Sequence, residues 1–164
     1  MRVRKATEKD LSAVYSVEES CFEDGVKEDR EVIRERLEKF AGGFLVAEDE
    51  KGRVVGYSSA EKWREVPNIR LNQAPAYHEM NGRIYYINSL GVAPALQGKG
   101  YGFKLLVSQV ENAKKERCKK VIVITFPSEE HDRFFSRYGF KRKGEVANFF
   151  EKKKMNGVVY EYKI

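Results

Sequence analysis

The stretch Leu90-Gly91-Val92-Ala93-Pro94-Ala95-Leu96-Gln97-Gly98-Lys99-Gly100-Tyr101-Gly102 constrains the fold more than any other part of the chain. A β-prone run ends in it, a glycine-rich turn follows, and an amphipathic helix begins at once. A strand that feeds straight into a helix buries its apolar face against that helix, which commits the chain to an α/β layering. The turn also gathers several backbone N–H groups around a concavity at a positive helix end, an arrangement that binds phosphate oxygens without any particular side chain. Glycine permits the unusual backbone angles and, lacking a Cβ, lets a diphosphate approach the main chain. A dinucleotide fingerprint would need glycine at position 103, where Phe103 stands, and a Walker loop would need Gly-Lys-Ser/Thr, whereas Gly100 follows Lys99. A helix start with spare glycines is the plain alternative.

The rest of the chain reads around that turn. Met1 to Lys5 alternate as a short strand, and Thr7 offers a hydroxyl cap with acidic residues in the first turn behind it. Leu11, Val14, Tyr15 and Glu18 to Cys21 recur at helical spacing as far as Asp24-Gly25, and a second amphipathic segment carries Val32, Ile33, Leu37 and Phe40 before Gly42-Gly43. Phe44 to Ala47 and Val54 to Tyr57 flank the polar turn Asp49-Glu50-Lys51-Gly52 and predict a hairpin. From Glu65 to Gly82 periodicity is lost among Pro67, Asn68, Asn72, Pro75, His78, Asn81 and Gly82, a pattern that fits either a loop closing over a site or a floppy insertion. Arg83 to Val92 is β-prone, Tyr101 to Arg117 helical, Lys120 to Thr125 too apolar for an edge strand, and Ser128 to Tyr138 helical, which is a parallel βαβ signature. Glu145 to Lys154, a type I′ turn at Asn156-Gly157 and Val158 to Lys163 predict a closing hairpin. The chain, 164 residues with no internal repeat, is expected to form one domain.

Composition narrows the function. No apolar run approaches the roughly 18 residues that cross a bilayer, and Met1 to Ala6 leads into polar sequence instead of an apolar signal core, so the cytoplasm is the expected location. Cys21 and Cys118 lie far apart without a histidine cluster, so no metal site is expected. The formal charge of +6 favours anionic ligands. A small basic nucleic-acid binder is a reading from another class, encouraged only by that charge and by the nine tyrosines, most of which fall in patterns that bury them.

In context the glycine turn resembles that of the GNAT superfamily of N-acetyltransferases. The family's Q/R-x-x-G-x-G/A segment is matched by Gln97, Gly100 and Gly102, preceded by the hydrophobic-x-Val-x-Pro of Leu90, Val92 and Pro94, and Arg133-Phe134-Phe135-Ser136-Arg137-Tyr138-Gly139-Phe140 looks like its second block. The element order agrees over essentially the whole chain. The resemblance implies a mixed, mostly antiparallel central sheet flanked by about four helices, and acetyl-CoA as the acetyl donor to a primary amine by direct attack. It places the pyrophosphate on the main chain of Gln97, Gly98, Lys99, Gly100, Tyr101 and Gly102, with the pantetheine arm added as a strand against Leu90, Gly91 and Val92. Ser128 and Phe135 occupy positions that touch the cofactor in relatives, and Ser128 also suits a helix N-cap. The N–H of Leu90 is implied as the donor to the thioester oxygen.

Two expected groups are missing from the pattern. Relatives often carry a tyrosine at the position of Phe135 to protonate the thiolate; Tyr138, one turn later, could substitute, or could simply pack at the helix end. The fourth strand reads Ile84-Tyr85-Tyr86-Ile87-Asn88-Ser89-Leu90 and contains no residue that accepts a proton at neutral pH; Asn88 could hold a water, and Tyr86 shares its face by alternation. A loose likeness to the arylalkylamine acetyltransferase branch would put histidines at Tyr86 and Asn88, and neither is present. Glu18, Glu19, His78 and Glu79 are candidate base or amine-binding groups for which solvated surface is the better reading, and His131 reads as a packing residue. The basic run Lys114 to Lys120 is what a helix C-terminus prefers, and Phe103, Leu106, Val107, Val110 and Ala113 read as a core stripe. A GNAT-like domain that binds acyl-CoA without turnover is the alternative, and a homodimer could use the apolar surface of Phe149, Phe150, Tyr160 and Tyr162.

Overall fold

A computed structural model describes residues 1–73 and 77–164. It contains, in chain order, β1 (Arg2–Lys5), α1 (Leu11–Cys21), α2 (Arg30–Lys39), β2 (Leu45–Glu48), β3 (Val54–Trp63), β4 (Ile84–Val92), α3 (Tyr101–Lys115), β5 (Lys120–Thr125), α4 (Glu129–Arg137), β6 (Lys141–Phe150) and β7 (Met155–Lys163). The expected mixed α/β layering is present. All seven strands join one sheet in the order β1-β2-β3-β4-β5-β7-β6, antiparallel except for the β4–β5 pair.

Alternation along the strands sorts the core into two layers. Val14, Val17, Ile33 and Leu37 of α1 and α2 pack on Phe44, Val46 and Tyr57. On the other face Leu106, Val110 and Ala113 of α3 and Phe135 of α4 pack on Tyr85, Ile87, Val121 and Val123. The core stripe of α3 is narrower than its sequence suggests: Phe103 and Val107 are each 41% exposed. A 3-10 turn, Glu8–Asp10, precedes α1, and Thr7 serves it as a donor, its N–H and hydroxyl both reaching the Asp10 carboxylate at 2.8 and 3.1 Å.

The closing hairpin differs from expectation. The chain reverses at the 3-10 turn Glu151–Lys153 with Lys154 left-handed, and Asn156-Gly157 lies inside β7. Gly157 is there for close approach, since a Cβ would sit 2.6 Å from Ile124 Cγ2 and 2.9 Å from Phe149 Cβ. Of the four residues expected to offer an apolar surface, Phe149, Phe150 and Tyr160 are buried within the fold and Tyr162 is half-buried. Among the described residues no helix is long and apolar enough to cross a membrane, and no group of acidic, His and Cys side chains could hold a metal ion.

Candidate active site

Three local departures from regular structure build the site. The first is the glycine turn. Gly98 and Gly100 have φ of +74° and +88°, left-handed values that a side chain rarely adopts, and a Cβ at Gly98 would meet nothing within 4 Å. The turn is therefore open on the side where the Cβ atoms are missing. The first bond inside α3 runs from Lys104 N–H to Gly100 O at 3.0 Å, which leaves the N–H groups of Tyr101, Gly102 and Phe103 free of helical partners. The Gln97 amide donates to Val92 O at 3.0 Å and ties the turn to the strand end, while the Tyr101 ring is buried with Leu105 and Val92. Lys99 is exposed.

The second departure is a splay. β4 and β5 pair only from Ile84–Ile87 to Lys120–Val123, so from Asn88 to Val92 β4 has β3 on one side and, among the described residues, no strand on the other. The edge that would receive an added strand is thus Asn88 to Val92, including Leu90, Gly91 and Val92. The third departure is a bulge. Ser59 faces Ser89 and Ala60 faces Ile87, so Asn88 is the extra residue. The face shared by Tyr86 and Asn88 survives, but Ser89 falls on it too, and Leu90 turns to the α3 side, where it packs with both clusters there.

Beneath α1 and α2, beside the bulge, lies a cluster of buried polar groups. Tyr57 OH and the Glu28 N–H donate to the two carboxylate oxygens of Glu18 at 2.6 and 2.7 Å. Glu28 pairs with Arg36 at 2.7 Å and accepts from Ser89 Oγ at 3.3 Å. Asn88 Nδ2 donates to Glu61 Oε1 at 3.2 Å. Burial pushes all three carboxyls up: Glu18 to about 7, helped by the Glu28 charge and opposed by the Tyr57 hydroxyl, and Glu28 and Glu61 upward against the pull of Arg36. Among the described residues Arg36 Nε and Nη1, Ser59 Oγ, Glu61 Oε2, Trp63 Nε1 and Asn88 Oδ1 are buried without a hydrogen-bond partner. A cleft of about 270 Å3 between α1 and α2 reaches Glu18 and Glu28 from outside.

This cluster corrects the sequence reading of Glu18, which is 2% exposed, and it contains three charged groups that reading did not single out: Glu28, Arg36 and Glu61. Glu61 carried a signal, a charge in a strand with a neighbour on each side. Glu19 is surface, paired with Arg30. His78 Nδ1 accepts from Lys62 N–H at 3.1 Å and its ring stacks on Phe40; Glu79 pairs with Arg64. Pro75 lies outside the described residues. On α4, Ser128 is the N-cap, accepting from His131 N–H, and His131 Nδ1 lies 2.9 Å from Thr125 Oγ1 with burial holding its pKa down. Phe135 is buried against Tyr160 and Phe140. Tyr138 is the C-cap, its ring stacked on Phe103 at 4.3 Å and edged by Phe134.

An unpaired strand edge beside an open, left-handed glycine turn suits an extended ligand that carries a diphosphate. Residues 11–140 match the family model of the acetyltransferase (GNAT) family, and the chain belongs to that family. Over 83 residues it is 31% identical to the mycothiol acetyltransferase of Renibacterium salmoninarum; the match covers 51% of this chain and 21% of that protein, so it spans about a fifth of that relative's length. Among solved structures it resembles the loading GNATL domain of CurA from Lyngbya majuscula, with a TM-score of 0.89, 20% identity and coverage of 99% and 96% of the two chains. The GphF GNAT-like decarboxylase in complex with isobutyryl-CoA also aligns at 0.89, with 18% identity over 99% of each chain. A phosphinothricin acetyltransferase from Sinorhizobium meliloti in complex with AcCoA aligns at 0.76, with 20% identity over 99% and 88%. At these identities the likeness to solved structures is one of fold.

Proposed function

We propose that the 164 residues act as one N-acetyltransferase domain that moves an acetyl group from acetyl-CoA to a primary amine by direct attack. The observation that carries this reading is the open β4 edge from Asn88 to Val92 placed beside the left-handed turn at Gly98 and Gly100. Of the N–H groups from Gln97 to Gly102, that of Gln97 is taken by Pro94 O at 3.3 Å, and those from Gly98 to Gly102 hold the pyrophosphate, while the edge at Leu90 to Val92 pairs with the pantetheine arm. Ser128, which caps α4, and Phe135, inside the core, serve the cofactor by fixing α4 beside the splay. Tyr138 is held on Phe103 and Phe134 at the C-terminal end of α4.

Acetyl-CoA, when bound, supplies a thioester that an amine attacks without a covalent enzyme intermediate. The Leu90 N–H stabilises the charge that develops on the thioester oxygen. Glu61, raised by burial and fixed by Asn88, accepts the amine proton through Oε2, the role for which β4 itself offers no group. As the N–C bond forms and the C–S bond breaks, that proton is available for the thiolate; the other proton of the entering ammonium passes to bulk water. The two free thiols, Cys21 and Cys118, fit a reducing compartment, and the cytoplasm is the proposed location.

Calorimetric titration with acetyl-CoA, beside free CoA and NAD, tests the reading on the natural chain and on Gly100→Val. Near one-to-one binding of acetyl-CoA that the variant loses supports it. Absence of binding to the folded natural chain means that the glycine turn is only a helix start.

A further inference from the structure

We propose that the end of the sheet farthest from the glycine turn is a docking surface for the phosphate backbone of a nucleic-acid duplex, formed by Arg83, Lys115, Arg117 and Lys119. This goes beyond the acetyl-transfer reading and does not depend on it.

The fold brings these four cations together. Ile84 pairs with Lys120 in the parallel β4–β5 ladder, and one step earlier the Lys119 N–H donates to Arg83 O at 2.7 Å. By alternation Arg83 and Lys119 share the sheet face of Tyr85 and Val121, on which α3 packs. The end of α3 meets them there, with Arg83 Nε donating to Arg117 O at 3.4 Å. All four residues are exposed. From Arg83 to Val92 the chain rises about 30 Å before it reaches the glycine turn, so these charges lie at the opposite end of β4 from a diphosphate bound there.

Charge and backbone conformation both mark the surface. Among the described residues none of the four has a carboxylate within ion-pair distance, and the acidic neighbours on α3 are taken, Glu116 by Lys62 at 2.7 Å and Glu111 by Lys114 at 2.8 Å. Like charges side by side repel, and an anionic partner relieves that repulsion. The helix dipole accounts for Lys115, in the last turn of α3, but not for Arg83 or Lys119, each of which precedes a strand. Arg117 is strained. Its N–H donates to Lys114 O and the Cys118 N–H to Ala113 O, both at 2.9 Å, a helix ending that favours glycine, and its φ is +56°. A guanidinium therefore stands where the backbone prefers no side chain at all.

The surroundings choose among anionic partners. A protein partner needs an apolar centre to dock on. Among the described residues only Met80, joined through Lys62 to Glu116, and Ile164, bonded to Lys119 O, are large exposed apolar residues bordering the four cations. The exposed aromatic rings lie elsewhere, Tyr77 in the loop after β3 and Phe103 in the first turn of α3, so unstacked bases have no platform. What fits is a row of phosphates, which Arg83 and Arg117 can each grip with a planar fork.

The test follows anisotropy of labelled RNA and DNA duplexes of about 20 base pairs and one sequence, and of labelled polyglutamate, as the whole chain is added at about 50 to 200 mM salt. The expected result is duplex binding with a log–log salt slope of about −3 to −4, the value for four neutralised phosphates. Arg117→Gly removes a guanidinium and relieves its backbone, so it should melt no lower than the natural chain while binding duplex several-fold more weakly, with a slope smaller by about one. Tighter binding of RNA or of DNA assigns the source, and either supports the proposal. Polyglutamate bound as tightly as the duplexes would assign the surface to an acidic protein and overturn the inference. So would an absence of duplex binding at the lowest salt, or an unchanged slope in Arg117→Gly. Titration of the same variant with acetyl-CoA reads the cofactor site separately and should match the natural chain.

Discussion

Asn88 Nδ2 donates to Glu61 Oε1 at 3.2 Å across the β3–β4 pair, at the residue by which β4 is one longer than its partner. The bulge thus couples the strand edge that would receive the cofactor to a buried carboxyl on the other side of the sheet. A hydrogen bond to a carboxylate favours its charged form and holds its pKa down against burial. In Asn88→Ala the Glu61 carboxyl should rise further. A base must be deprotonated to act, so the acidic limb of the pH–rate profile should move to higher pH, with the plateau rate reduced by less than about tenfold relative to the full range of acid–base catalysis. An acidic limb that stays where it was would remove Glu61 from the role of base.

The Glu18 carboxyl should make stability fall as pH rises. Its pKa is about 7 in the folded protein against 4.5 for the free group, with burial the main cause and the Glu28 charge the second. Between those values the folded state binds the proton that the unfolded state has already released, so each step upward in pH favours unfolding. The full difference is on the order of 3 kcal/mol, reached above pH 7. Thermal melts of the natural chain and Glu18→Gln from pH 4.5 to 8 should diverge, with the variant losing less stability across that window. Parallel melts would mean that Tyr57 and the Glu28 N–H compensate the burial completely.

Sequence pattern revealed the glycine turn, the strand that leads into it and most element boundaries because each depends on neighbours in the chain. Gly98 and Gly100 are in the turn because of their own φ values, and Val121 to Ile124 read as a central strand because both their faces are apolar. The buried polar cluster was not legible. Glu18, Glu28 and Arg36 resemble the other charges of a chain in which 34% of residues are charged, and only the packing of α1 and α2 on Tyr57 and Ser89 decides that these three are buried. The bulge at Asn88 leaves no trace in composition, since one inserted residue shifts faces without altering residue types. Asn156-Gly157 looked like a turn by local preference, yet Gly157 is fixed by the nearness of Ile124 and Phe149, a contact that no local rule contains.

Gly100 should separate conformation from ligand contact. Its φ of +88° makes any side chain costly, by about 1–2 kcal/mol for a residue forced left-handed. Gly100→Ala and Gly100→Val should both melt lower than the natural chain. In calorimetric titration the valine variant should also lose acetyl-CoA affinity by more than tenfold, since its branched side chain projects into the space left for the diphosphate. Equal affinity in both variants and the natural chain would place the diphosphate elsewhere.

Phe135 stands where relatives often have a tyrosine, and its surroundings oppose restoring one. The ring is buried, stacked on Tyr160 at a centroid distance of 4.8 Å and edged by Phe140, Phe134 and His131. The phenylalanines present faces and edges of rings, the polar atom of Tyr160 is already committed to Asp132, and His131 Nδ1 is committed to Thr125 Oγ1. A hydroxyl added at Phe135 would lose its water without gaining a partner, a loss of about 1–3 kcal/mol for an unsatisfied buried group. Phe135→Tyr should therefore lower the melting temperature and leave the rate of acetyl transfer within about twofold of the natural chain, in keeping with a proton route through Glu61 that never used this position. A large gain in rate with unchanged stability would reverse the argument. It would show that the ring edge faces the splay between β4 and β5, and that an acid at this position limits the reaction.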